Sequence, residues 1–187
     1  MHLDPKYGPA VRVVREHFDG PIRPYMSLDY GRGRKDEVIS FLDPPGKHSL
    51  GDHYEFVERL QRELPEQFIA FIGNRYWAVD DHNLGTEFVV ALANSQIEAV
   101  KLAESQGINQ GVRTERVIEV LTRYDNQYGI RILVAAPDLV EFKLKELPSD
   151  ISAFLDEMGR DLVVPTEPRN EVIADIRKTK LVWLWWD

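Results

Sequence analysis

The residues with the greatest capacity for chemistry lie in one stretch of the sequence, residues 73–85. Asp80 or Asp81 can orient His82 as a general base, because a carboxylate fixes the tautomer of an imidazole and raises its basicity. The same three side chains can hold a hard divalent metal ion. Asp-Asp-His-Asn is also ordinary turn chemistry. We therefore predict no catalytic residue, no metal ligand and no cofactor, and take these as candidate binding residues: Arg75, Tyr76, Trp77, Asp80, Asp81 and His82.

The second candidate region is the aromatic segment 181–187 at the end of the sequence. In a strand, Trp183 and Trp185 share one face and Trp186 lies on the other, because side chains alternate. Burial of the indoles against helices on both faces accounts for such a segment. The alternative exposes one indole beside a groove as an interaction anchor, a role in which tryptophan is enriched. Trp185 and Trp186 are therefore candidate binding residues.

Two polar positions complete the candidate set. Asp187 adds negative charge at the end of the predicted strand, where it can bind an arginine of this chain (Arg75 or Arg131) or of a partner. Asn109 lies between two predicted helices and is expected to bond the main chain of that loop, and we keep it as a candidate ligand contact.

Three common catalytic signatures are missing from the sequence. It contains no Gly-x-x-x-x-Gly-Lys phosphate loop, no His-Glu-x-x-His zinc helix and no Gly-x-Ser-x-Gly nucleophile elbow. The chain has no cysteine, which excludes a disulfide scaffold and a thiol nucleophile. The five histidines are scattered without metal-ligand spacing.

Two continuous apolar runs must position the 73–85 segment. Residues 68–72 and 88–93 are typical of strands buried on both faces, so the segment between them is predicted to be a loop held by a rigid sheet. Asp52 and Glu55 predict the start of a helix, and Ser95 with Glu98 predicts another that ends at Gly107.

A hairpin is predicted in the second half of the sequence. Residues 130–135 form an apolar strand, and the next strand alternates from Val140 to Lys145. The alternation predicts one buried face and one wet face that carries Glu141, Lys143 and Lys145.

The domain organisation follows from the distribution of proline and glycine. Six prolines and five glycines interrupt the first fifty residues, and 44–46 form a Pro-Pro-Gly stop. We predict an appended Pro/Gly-rich segment, residues 1–47, and a core domain, residues 48–187. The fold class is α+β, with a mixed, mostly antiparallel sheet of about five strands and helices packed on it.

The charge distribution restricts the partners. The net charge is −8, with +1 on residues 1–47 and −9 on residues 48–187. Such a domain repels phosphate backbones, so no nucleic-acid partner is predicted, whereas its field favours a basic protein partner. No apolar run is long enough to cross a membrane and no signal peptide is recognisable, so the expected compartment is the cytoplasm.

Several short motifs occur together between about Asp52 and Asp187. They are Phe71–Ile72–Gly73, Asn109 with Gly111, Gly129–Ile130, Glu141–Phe142, Leu147–Pro148 and the ending Leu184–Trp185–Trp186–Asp187. This combination resembles a bacterial domain family of unknown function whose members end in Leu-Trp-Trp-Asp. The resemblance implies a fold and no assigned activity.

The sequence departs from that family at one segment, and this departure excludes one class of chemistry. Its members usually show Cys-Pro-Asp and an aliphatic pair before the last helix, whereas this chain has Gly159–Arg160–Asp161–Leu162–Val163. Chemistry that requires the cysteine is therefore absent. We predict a non-catalytic protein-binding module, of which an immunity-type protein that neutralises a basic partner is one form. The alternative is a small-molecule-binding protein or metal-assisted hydrolase that uses residues 73–85.

Overall fold

A computed structural model of the protein describes residues 4–26, 34–44, 49–79, 82–162 and 168–186. The chain divides into two compact units, Met1–Gln96 and Ile97–Asp187. Each unit combines helices with antiparallel strands, which confirms the α+β class. The boundary predicted between residues 47 and 48 stays a prediction.

The first unit contains two helices and four strands in its described part. They are α1 (Gly8–His17), β1 (Arg23–Met26), β2 (Arg34–Asp43), α2 (Leu50–Glu63), β3 (Phe68–Val79) and β4 (His82–Leu92). The strands lie in the order β1-β2-β4-β3, and each ladder is antiparallel. Helix α2 packs on β3 and buries Val57 and Leu60, so its apolar stripe covers the sheet.

The second unit contains four helices and three strands in its described part. They are α3 (Glu98–Ala103), α4 (Thr114–Tyr128), β5 (Ile130–Ala135), β6 (Leu139–Leu144), α5 (Ile151–Asp161), α6 (Arg169–Thr179) and β7 (Leu181–Trp185). The order is β5-β6-β7, again antiparallel, so the predicted hairpin is confirmed. Strand β7 is ordered and alternately buried, as the alternation of its residues predicts.

The described residues form seven strands, more than the five or so predicted. The short strand β1 escaped prediction because it contains Pro24, which removes one donor and usually argues against a strand. Its position beside β2 alone puts it at an edge, where a proline is tolerated.

The segment 73–85 is mostly strand, so its prediction as a loop was wrong. Strand β3 continues to Val79 and β4 begins at His82. The pairing register shifts three times between Ile72 and Ala78, which lets an irregular polar sequence remain paired. Gly85 has a φ of +120°, and a Cβ there would lie 1.8 Å from the carbonyl oxygen of Asp43, so only glycine allows this approach of β4 to β2.

Two helix starts differ from the prediction. Helix α2 begins at Leu50 with a reciprocal capping box formed by Ser49 and Asp52, one turn earlier than an Asp52–Glu55 pair would place it. Helix α3 begins at Glu98 without a side-chain cap and ends at Ala103, well before Gly107.

Two glutamate side chains are buried, although glutamates usually lie on the surface. Glu141, predicted on a wet face, is only 4% exposed. In the first unit Glu87 is 1% exposed and its Oε1 accepts hydrogen bonds from Ser40 Oγ at 2.8 Å and from Arg23 at 2.9 Å. Burial raises the pKa of Glu87, despite the opposing effects of Ser40 and Arg23.

Replacing Glu87 with glutamine is expected to stabilise the protein increasingly as the pH rises. A carboxyl whose pKa is raised in the folded state contributes stability below its ordinary pKa, and that stability is lost as the pH rises through the folded value. Glutamine keeps an acceptor for Ser40 and Arg23 without this loss. Thermal unfolding between about pH 4 and pH 8 measures the difference. An advantage of Glu87→Gln that stays constant over this range would contradict the account.

Candidate functional site

Arg75, the first predicted binding residue, contacts other residues of the first unit. Its guanidinium donates to the Tyr54 hydroxyl at 2.5 Å and lies 5.8 Å from the centre of that ring. Its carbonyl oxygen accepts a hydrogen bond from Thr86 Oγ1 at 3.1 Å. These contacts fix Arg75 against α2, which gives it a structural task in this conformation.

The other predicted residues of 73–85 are described only in part. Tyr76 and Trp77 lie on β3 and His82 begins β4. Asp80 and Asp81 lie outside the described residues, so their role as ligands stays a prediction. In the part of the chain that is described, no group of three histidines and carboxylates is arranged to hold a metal ion.

The candidates of the second unit have different surroundings. Asn109 is exposed on a short 3-10 turn, Ile108–Gln110. Trp186 is 2% exposed, and a Cβ built on Gly107 would lie 2.2 Å from its indole. Trp186 is therefore a core residue, and Gly107 is needed for the close approach of the ring. Asp187 lies outside the described residues.

Trp185, like Asn109, is a predicted binding residue that the structure leaves accessible. It is 45% exposed at the end of β7, and Trp183, two residues earlier on the same face, is half-buried. Leu184 points to the opposite face and is buried. The strand thus presents one apolar face inward and part of an indole outward.

Strand β7 lies at an edge and pairs with β6 alone among the described strands. The Trp186 N–H donates to the Asp138 carbonyl, and the Leu144 N–H donates to the Lys180 carbonyl. These bonds show which residues of the antiparallel ladder form hydrogen-bonded pairs. The backbone N–H and C=O groups of the even-numbered residues of β7 bond to β6. The backbone groups of Trp183 and Trp185 therefore point away from β6, towards the free edge.

A groove of about 310 Å³ borders this strand. Its lining comes from α5, α6 and β7 and is mainly apolar: Leu155, Met158, Val172, Ile176, Thr179, Leu181, Val182 and Trp183. Glu171 and Asp175 also line it, and both are exposed on α6. Four residues apart, they occupy the same side of the helix. The groove therefore combines an apolar interior with a negatively charged rim.

Sequence reasoning missed the groove. The pattern of Val172 and Ile176 predicts a helix, but it does not say that the helix leaves a gap beside β7. The available signal was the alternation of acidic and apolar residues at 171–172 and 175–176. Such spacing places carboxylates at the border of an apolar stripe.

A second charged cluster of this unit is structural. Asp161 accepts hydrogen bonds from Arg123 and from Arg116 and so joins α5 to α4. Burial opposes ionisation of Asp161, but the hydrogen bond and charge of Arg123, together with Arg116, lower its pKa. Next to it, burial and the charge of Glu157 raise the pKa of Tyr124 to about 12. The aspartate that remains of the Cys-Pro-Asp pattern thus connects two helices.

Comparison with known proteins gives a family and no activity. The family described as Domain of unknown function (DUF4253) matches residues 87–187, more than half of the 187-residue chain. No curated protein and no solved structure matches the chain. The match is shorter than the predicted resemblance over residues 52–187, and it includes all of the second unit with β7 and the groove. The Leu-Trp-Trp-Asp ending as a family hallmark and the bacterial origin stay predictions. None of the described helices combines the length and apolar character needed to cross a membrane.

Proposed function

The chain belongs to the DUF4253 family, and we propose that it is a non-catalytic protein-binding module. Its partner contributes a basic, extended segment that pairs with the free edge of β7. The observation that carries this proposal is an ordered edge strand, with no described strand on its outer side, beside an apolar groove. Edge strands of this kind accept an extended peptide through main-chain hydrogen bonds, while a neighbouring groove selects its side chains.

The geometry of β7 supports strand addition. Because Trp183 and Trp185 direct their backbone groups away from β6, they can pair with an added strand without disturbing the existing ladder. Every second side chain of the added strand would then face α5 and α6, where the apolar lining of the groove can bury it.

Charge selects the class of partner. Glu171 and Asp175 line the groove, and residues 97–187 carry a net charge of −4. Opposite charge on a partner speeds its association and excludes acidic competitors, an effect that salt weakens. A basic segment is therefore the complementary occupant, and an immunity-type complex with a basic protein is one biological form of it.

Trp185 supplies the anchor. Its indole is accessible on the same face of β7 as Trp183, so alternate side chains of the partner strand contact it. Arginine or lysine over an indole gains a cation–π interaction, which fits the basic character of the partner. The predicted role of Trp185 as an interaction residue is thus part of this proposal.

Binding to arrays of immobilised heptapeptides tests the proposal. We expect peptides that alternate valine with arginine to bind, and their valine–glutamate counterparts to fail. The double variant Glu171→Gln/Asp175→Asn should weaken the basic peptides roughly tenfold at low salt, because two exposed carboxylates are lost at the groove. The control Glu115→Gln/Glu146→Gln removes the same charge from exposed positions that do not line it. Equal binding of acidic and basic peptides, or equal loss in both double variants, would contradict the proposal.

A further inference from the structure

The first unit contains a cavity that the proposed function does not use. It has a volume of about 300 Å³ and is lined by the end of α1, by β2, by α2 and by β4. Four of the ten lining residues are phenylalanines: Phe18, Phe41, Phe56 and Phe88. Their polar neighbours at the cavity are His17, Asp43, Asp52, His53, Glu55 and Arg59.

The aromatic wall is built around a stacked pair. The rings of Phe41 and Phe88 stack with centroids 5.4 Å apart, and Phe56 stands edge-on to both, at 6.2 Å and 5.0 Å. Phe18 packs against Phe41 with centroids 4.8 Å apart. Phe41 and Phe88 are fully buried, whereas Phe18 and Phe56 are half-buried and border the open part. Such walls attract apolar bodies, and their ring faces attract cations.

A buried carboxylate lies against this wall. Asp43 Oδ2 is 3.0 Å from His53 Nε2, and both side chains are largely buried. The other ring nitrogen of His53, Nδ1, lies 3.3 Å from Thr86 Oγ1, and the hydroxyl of Thr86 donates to the Arg75 carbonyl. Both nitrogens of His53 are therefore engaged. The pair does not present a free base to a ligand, so it favours binding and not proton transfer.

The charges at the cavity favour a cation. Asp52 and Glu55 contribute two carboxylates and Arg59 one permanent positive charge, beside the Asp43–His53 pair. Asp43 is the most deeply buried of these groups and lies where water screens its charge least. An anionic ligand would meet this excess of negative charge, and a neutral ligand would leave it unused.

We propose that this cavity binds a small organic cation, with an ammonium or guanidinium group on an apolar or aromatic body. The apolar body packs against Phe18 and Phe56, and the cationic group lies towards Asp43 and Glu55. Aromatic rings together with carboxylates are the combination that recognises such cations, because each supplies attraction to positive charge at a short distance. This site includes no residue of β7, so a negative result for strand addition at β7 would leave the proposed cation site untouched, and the reverse also holds.

Three probes of one shape test the proposal: benzylammonium, benzyl alcohol and benzoate. In calorimetric titrations of the full chain, we expect benzylammonium to bind in the millimolar range, which is the affinity typical of so small a molecule. It should bind roughly tenfold more tightly than the alcohol, because one charge-assisted contact is worth about that factor. Benzoate should show no binding.

Variants assign the binding to this cavity. Phe56→Leu and Glu55→Gln should each weaken benzylammonium severalfold, and Asp43→Asn should remove its preference over the alcohol. Glu55 is exposed, so its variant is expected to fold even if Asp43→Asn does not. The control Glu115→Gln removes one negative charge from the second unit and should leave the affinity for benzylammonium unchanged. Binding of benzoate equal to that of benzylammonium, no binding by any probe, or unchanged binding by Phe56→Leu and Glu55→Gln would overturn the proposal.

Discussion

Replacing Trp186 with alanine is expected to lower the free energy of unfolding by about 4 kcal/mol, the loss typical of a fully buried tryptophan. Trp186 is 2% exposed, and its indole lies so close to Gly107 that no side chain fits there. The ring therefore fixes the end of β7 on the segment that precedes α4. Urea unfolding followed by circular dichroism measures the loss.

Trp185→Ala is the matched control, because it removes the same side chain one residue earlier in the chain. Trp185 is 45% exposed, so its loss is expected to cost less than about 1 kcal/mol. Two equally destabilising variants, or a stable Trp186→Ala, would contradict the assignment of Trp186 to the core and of Trp185 to the surface.

Replacing Trp185 with proline is expected to weaken binding of the valine–arginine peptide more than any other single change at this edge. Proline lacks the N–H that Trp185 directs to the free edge, and it also removes the indole. The loss of the indole alone, in Trp185→Ala, should weaken binding roughly 30-fold, as expected of a 2 kcal/mol anchor. Proline should weaken it further, to roughly 100-fold or more. Fluorescence anisotropy of a labelled peptide measures each affinity.

The comparison of these two variants distinguishes main-chain pairing with β7 from contact with the Trp185 indole alone. An edge strand tolerates proline where the N–H faces solvent, so Trp185→Pro should remain folded. Its unfolding transition should match that of Trp185→Ala. Equal affinities of the folded alanine and proline variants would mean that the partner contacts the indole without pairing with β7.

Local periodicity predicts much of this fold. The apolar runs of β3 and β4, the hairpin of β5 and β6, and the alternation of β7 depend on neighbouring residues, and the structure confirms them. The continuation of β3 to Val79 was not predictable in the same way. It depends on pairing with β4 across three register shifts and on the close contact between Gly85 and Asp43. Such contacts are tertiary, and no short pattern encodes them.

The candidate sites likewise combine features that follow from local sequence with features that depend on tertiary contacts. Alternation in β7 predicts that Trp185 and Trp186 face opposite ways, but burial of Trp186 requires Gly107, which is distant in sequence. Likewise, His53 gave no signal among scattered histidines. Its partner Asp43 lies ten residues earlier, at the end of β2, and only the fold brings the two side chains together.

Hydrogen exchange of individual backbone amides, with and without the valine–arginine heptapeptide, tests strand addition most directly. We expect the peptide to slow exchange at Trp183 and Trp185 at least roughly tenfold, because their N–H groups become paired. The amides of Val182 and Leu184, already directed to β6, should change little by comparison. Binding of the peptide that leaves the Trp183 and Trp185 amides exchanging at their original rates would contradict pairing at the β7 edge.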